Sequence, residues 1–226
     1  MWDKLSVFVF GEPLKTHLPE RVRDNIATQQ IEGEKLISWV QLLLVLVFSI
    51  FYTLAPSSAP EAGFQAVPWV LGAYFVFTLG RLVMSHRGRL PNWLLMVSVV
   101  MDMSLLMALI WSFHIQYMQP PSFYLKAPTM VYVFIFISLR ALRFEPKFIL
   151  LSGAAAAVGW LGLVLYVVYS VSGDTMITRD YVTYLTSNAI LIGAEVDKIL
   201  SIGLVTGVLA VAILRAQRTL NHAVID

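Results

Sequence analysis

The apolar and polar positions divide this chain into long apolar runs separated by short polar or proline-rich stretches. A helix needs roughly 20 mainly apolar residues to cross about 30 Å of hydrocarbon. On that basis six runs are read: about Leu36 to Leu54, Val67 to Met84, Trp93 to Ile115, a shorter one from Pro128 to Leu142, Phe148 to Val171, and about Glu195 to Leu214. The connections "SHRGRLP" and "RFEPK" are short, so the runs they join are expected as antiparallel helix pairs. "APSSAPEAGFQAVP" and "QYMQPPSFYLKAP" are longer and are expected to cover one mouth of the bundle. The fold class implied is an all-α membrane protein, a six-transmembrane-helix bundle.

The basic residues give that bundle a direction. Lys4, Lys15, Arg21, Arg23 and Lys35 precede the first run. Arg81, Arg87 and Arg89 surround the second connection, Arg140, Arg143 and Lys147 the fourth, and Arg215 and Arg218 follow the last run. Only Lys126, Arg179 and Lys198 fall on the other side. Cytoplasmic loops are enriched in Lys and Arg, so both termini are expected in the cytoplasm. Composition agrees: 58% of residues are hydrophobic and 13% charged, with a mean hydropathy of +0.74. A soluble domain is about half apolar and a quarter charged. The absence of cysteine excludes disulfides, thiolate metal sites and cysteine nucleophiles. "LSVFVF" is too short and badly placed for a secretory signal.

Three parts follow. Residues 1–35 form a cytoplasmic segment in which Pro19 and Glu20 suit the first turn of a helix. Leu18, Val22 and Ile26 give that helix one apolar stripe, for the inner membrane surface or for a partner. Residues 36–214 form the membrane domain. Residues 215–226, "RAQRTLNHAVID", continue the last helix with no Pro or Gly to stop it, as an output helix whose effector lies beyond it or on a partner.

Several polar groups stand out against the lipid-like background. Asp102, in "VVMDMSLL", lies near the middle of the third run. A carboxylate there costs about 2.5–3.5 kcal/mol and should face the bundle interior with a partner. Ser98 and Ser104 are near it on its own helix. It is either a structural group bonded across a helix contact or a ligand, proton or metal group. Glu195 and Lys198 are three apart and share a helical face, whereas Asp197 points elsewhere. They either mark the water boundary or build an acidic outer pocket with Asp197, Asp102, His114 and a tyrosine of "HIQYMQPPSFY". Such oxygen and imidazole donors suit a divalent cation or a small polar ligand. Further along, Gly203, Gly207 and Ala210 form a small-residue face for close packing, within the bundle or across a dimer.

No HExxH, GxSxG, P-loop or GxGxxG occurs, so this chain is not expected to be an enzyme by itself, nor to bind nucleic acid. "RLPNWLLMVSVVMDMSLL", "IWSFHIQYMQPPSFYLKAPTMVYVFIFISLRALRFEP" and "RDYVTYLTSNAILIGAEVDKILSI" resemble the amino-terminal membrane region of bacterial class III adenylate cyclases. In that family a six-span anchor leads through a helical connector into a cytoplasmic catalytic domain. The resemblance implies a homodimer in the lipid bilayer that positions two cyclase domains and senses an extracytoplasmic ligand. The family's catalytic residues would all lie beyond Asp226, so none is carried over. Two other functions fit the residues: a passive dimerising anchor, and a small transporter or channel using Asp102.

Overall fold

The computed structural model describes residues 20–54, 66–87, 91–170 and 177–225. Among the described residues, five helices are long and apolar enough to cross a membrane: α1 (Glu20–Leu54), α2 (Ala66–His86), α3 (Asn92–Gln116), α6 (Pro146–Ser170) and α8 (Ile192–Ile225). Between α3 and α6 come the short helices α4 (Ser122–Lys126) and α5 (Met130–Leu139) and a 3-10 turn, Arg140–Arg143. A further short helix, α7 (Tyr181–Thr186), precedes α8. The protein is thus helical and membrane-embedded by the length and apolarity of its helices. The ends follow local chemistry: Pro146 opens α6, Pro68 sits in the first turn of α2, and Asp180 caps α7 through the amides of Val182 and Thr183.

Cross-helix contacts fix the running directions. Glu34 of α1 meets Arg143, Gln41 meets Asp102, and Phe48 meets Tyr132. In α2 the order reverses, because Val67 packs with Phe48 while Arg81 bonds Ser38. The third helix reverses again. Phe148 at the start of α6 packs on Leu95 and Val99, and Tyr166 near its end packs on Trp111. So α3 and α6 run the same way, and the chain between them must return through the bundle. It does so through α5 and the 3-10 turn. Finally α8 runs against α6, from Glu195 beside Trp160 to Gln217 beside Phe144. One end of the bundle therefore gathers Glu34, Arg143 and Gln217, and is called the basic end here. The other gathers Tyr117, Tyr124, Trp160 and Glu195, and is called the aromatic end.

The return segment differs most from the sequence expectation. A span was expected from Pro128 to Leu142, but the α-helix is only 10 residues long. Ten residues rise about 15 Å as α-helix. The 3-10 turn adds about 8 Å, so the pair falls short of a 30 Å span. The segment stops because Arg140 and Arg143 turn inward to carboxylates rather than out to water. Val133, Phe136 and Ile137 are buried, as expected of a helix that is hydrophobic all round. Phe144 closes the turn at φ 58°, a left-handed conformation uncommon for a large side chain.

Helices α1 and α8 pass through residues 35/36 and 214/215 without a break. The stripe of Leu18, Val22 and Ile26, and the side chains from Leu220 onward, lie outside the described residues, as do residues 55–65 and 88–90. Close helix contacts occur at Gly33 and, within the small-residue run "SGAAAAVGWLG" of α6, at Gly153 and Gly159. A Cβ on Gly33 would lie 2.7 Å from the Leu142 carbonyl oxygen, and one on Gly153 would overlap the Thr206 side chain. At Gly203 and Gly207 a Cβ would meet nothing within 4 Å among the described residues. Ala210, by contrast, is buried in the main core.

Candidate functional site

Helix α1 carries a polar stripe, Glu34, Ser38 and Gln41, one turn apart within an apolar run, and all three are buried. Helix α2 answers with Tyr74, Thr78, Arg81 and Ser85 on its own buried face. These spacings keep each set on one side of its helix. Between the two stripes lies Asp102. Its Oδ2 accepts from Nη1 of Arg81 at 2.7 Å, from Nε2 of Gln41 at 3.0 Å, and from Nη2 of Arg140. Arg81 also donates to the Gln41 side-chain oxygen and, from Nε, to Ser38 Oγ at 3.3 Å. Four elements thereby share one carboxylate.

Asp102 therefore has the interior partner that membrane energetics demands, but not the one its neighbours on α3 offer. Ser98 spends its hydroxyl on the Leu95 carbonyl, and Ser104 is exposed. The partners are Arg81 and Arg140, which the sequence reading placed among the loop charges. Both are buried, as is Arg143. Those three guanidiniums hold the bundle together and do not belong in a tally of loop charges. Two of them face one carboxylate, while Oδ1 of Asp102 and Nη1 of Arg140 are buried without a protein partner.

A second network continues toward the basic end. Nη1 of Arg143 donates to Glu34 at 2.9 Å and its Nε to Glu145 at 2.8 Å, with the guanidinium 4.2 Å from the Phe148 ring centre. Lys147 reaches the other oxygen of Glu145. The 3-10 turn thus sends one arginine to Asp102 and the next to Glu34. Just after it, the Phe144 carbonyl accepts from the side-chain amide of Gln217 on α8.

At the aromatic end the expected acidic pocket is not assembled. Glu195 is buried, and both its oxygens are engaged, one by the Trp160 indole N–H at 3.0 Å and one by Lys198 at 2.7 Å. Lys198 also donates to the Leu125 carbonyl. Asp197 is exposed on another face of α8, as its spacing implied. Asp102 belongs to the arginine network and not to this one. His114 donates from Nδ1 to the Trp111 carbonyl and packs against the rings of Trp111, Tyr124 and Tyr166. Among the described residues no three His, Asp or Glu side chains are placed to hold a metal ion.

What the aromatic end does contain is tied by backbone acceptors and rings. Tyr124 donates to the Leu163 carbonyl at 2.8 Å, and its phenol is pushed up by burial, then by Tyr166 and Glu195. Lys126 donates to the carbonyls of Tyr184 and Ser187, locking α4 to the end of α7, and burial lowers its amine. A bridge between Ile177 and Ile190, with the Thr178 amide donating at 2.9 Å, holds the approach to α8. Beside these groups, α1, α2, α3 and α5 line a partly open cavity of about 120 Å³ walled by Phe48, Leu71, Leu109, Phe113, Gln116 and Tyr132, among others.

No family model matches this chain, and no curated protein or solved structure matches it.

Proposed function

We propose that this chain is the membrane anchor and regulatory domain of an adenylate cyclase. In this reading six passes leave both termini in the cytoplasm, with α5 and the 3-10 turn as the fourth pass. It works as a homodimer that positions two cytoplasmic catalytic domains. The observation that carries it is the path from α5 to α8. Tyr132 faces the cavity, Arg140 and Arg143 close the same segment on Asp102 and Glu34, and Gln217 ties that segment to α8. Helix α8 then continues unbroken to Ile225 on the same end as the start of α1. A shift of α5 would therefore reach the helix that leads toward an effector. The resemblance of the sequence to cyclase membrane regions is what favours a cyclase domain as that effector.

The test joins the chain to a class III cyclase domain and compares cAMP production with and without it, in lipid vesicles. Gln217→Leu, which cuts the link at an exposed position, should change output while leaving insertion and dimerisation intact. Equal output from the joined protein, the Gln217→Leu protein and the isolated catalytic domain at matched density would remove the regulatory role. A passive anchor would then stand, and one observation favours it. The oxygens of Glu195 and the Oδ2 of Asp102 are already committed to protein groups, as purely structural acids would be.

A further inference from the structure

The cavity at the aromatic end has a chemistry that the charge networks lack. Its walls are apolar side chains and rings, with Phe48 and Tyr132 already edge to face at 4.8 Å and 90°. One amide, Gln116, joins them from the last turn of α3, and its Oε1 is buried with no donor. An acceptor left without a donor in an apolar surrounding is costly, and a guest that brings a donor removes the cost. The volume of about 120 Å³, in a pocket that is partly open, is of the order of one ring. A dry cavity of about 150 Å³ takes a benzene ring.

We propose that this cavity binds a single-ring ligand bearing one hydroxyl or N–H, the phenol class, with the ring among Phe48, Leu71, Leu109 and Tyr132 and the donor on Gln116. Ring–ring contacts at offset or edge geometry supply the attraction, and the one hydrogen bond supplies the selection. The ligand would bear on α5 through Tyr132, and therefore on Arg140 and Arg143 at the other end of that segment. As the input of the regulatory domain this rests on the reading above, whereas binding itself does not.

The experiment uses the full chain in lipid nanodiscs, titrated with 4-fluorophenol and followed by fluorine NMR line width. Empty nanodiscs give the partition of the probe into lipid. Saturable binding is expected with the chain only, roughly tenfold tighter than for 4-fluorotoluene, which lacks the donor. Gln116→Leu should erase that preference while the toluene still binds, and Leu109→Trp should abolish both by filling the cavity. No saturable component beyond the empty nanodiscs, equal affinity for the two probes, or a preference that survives Gln116→Leu would each overturn the proposal. Binding that behaves as expected but leaves cAMP production unchanged would uphold the site and count against the regulatory reading instead.

Discussion

In the half of the bundle toward the basic end, Glu34, Arg81, Asp102, Arg140 and Arg143 lie inside with side-chain exposures of 5% or less. In the aromatic half Glu195 alone, among the described acids and bases, is as deeply buried. The first half is closed by charges that need one another; the second is closed by rings and leaves room. Buried ion pairs are expensive to form and more expensive to break singly, because the survivor keeps its desolvation penalty. Rings carry no such debt, so a ring-lined half can open space without exposing an unpaired charge. The contrast teaches where change can be tolerated: a ligand or a shape change fits among the aromatics, while the arginine network sets the geometry that responds.

The sharpest way to break this comparison is Asp102→Asn, which leaves Arg81 and Arg140 buried without a counter-charge. A loss of about 3–5 kcal/mol is expected, seen as a lowered unfolding temperature or loss of a monodisperse protein in detergent. Partial recovery on adding Arg140→Met would tie the loss to the stranded charge. Gly33→Ala comes next. Its methyl would press on the Leu142 carbonyl, a backbone atom that cannot swing away, so about 1–3 kcal/mol should be lost. Gly203→Ala, facing open space, should cost nothing in the same unfolding assay.

Glu195→Gln should cost only about 1 kcal/mol, since an amide oxygen still accepts from Trp160 and Lys198, 21% exposed, can turn toward water. A loss equal to that of Asp102→Asn would erase the distinction between the two halves. The smallest effect concerns Asp180, which caps α7 from an exposed position. The Thr183 hydroxyl, then the amides of Thr183 and Val182, hold its carboxyl below the ordinary range. A depressed acid stabilises above its unfolded value of about 3.9 and loses that contribution as pH falls through the lower folded value. The Val182 and Thr183 amide resonances should therefore stay constant from pH 7 to about 4 and move only below it. Asp180→Asn should show no such titration, and a midpoint above 4.5 in the native chain would refute the cap's role.

Apolar run length was enough to locate the long helices, because membrane helices advertise themselves by composition alone. The segment from Pro128 to Leu142 was read as a span for the same reason: it is apolar enough to look like one, and nothing in hydropathy says that Arg140 and Arg143 turn inward. Counting arginines as loop charges hid the two arginine partners of Asp102. A signal for them existed. Glu34, Ser38 and Gln41, and Tyr74, Thr78, Arg81 and Ser85, recur at helical spacing, and such a stripe inside a membrane helix asks for a polar counterpart at the same depth. The pairing of Glu195 with Lys198 was readable from their separation, and Trp160 as its third member was not, since it comes from another helix. The cavity was illegible for the same reason, as its walls come from four helices whose rotations only the assembled core sets.

The brevity of α5 has a consequence for how the chain is made. Ten residues, nine of them apolar, followed within four positions by two arginines are a poor substrate for partition into lipid by themselves, with each arginine costing roughly 2.5–3.5 kcal/mol at depth. The favourable place for them exists only after α3 has brought Asp102 and α1 has brought Glu34. The expected order is therefore that the first three helices, apolar enough to enter lipid by themselves, precede the return segment, whose arginines pair with acids on α1 and α3.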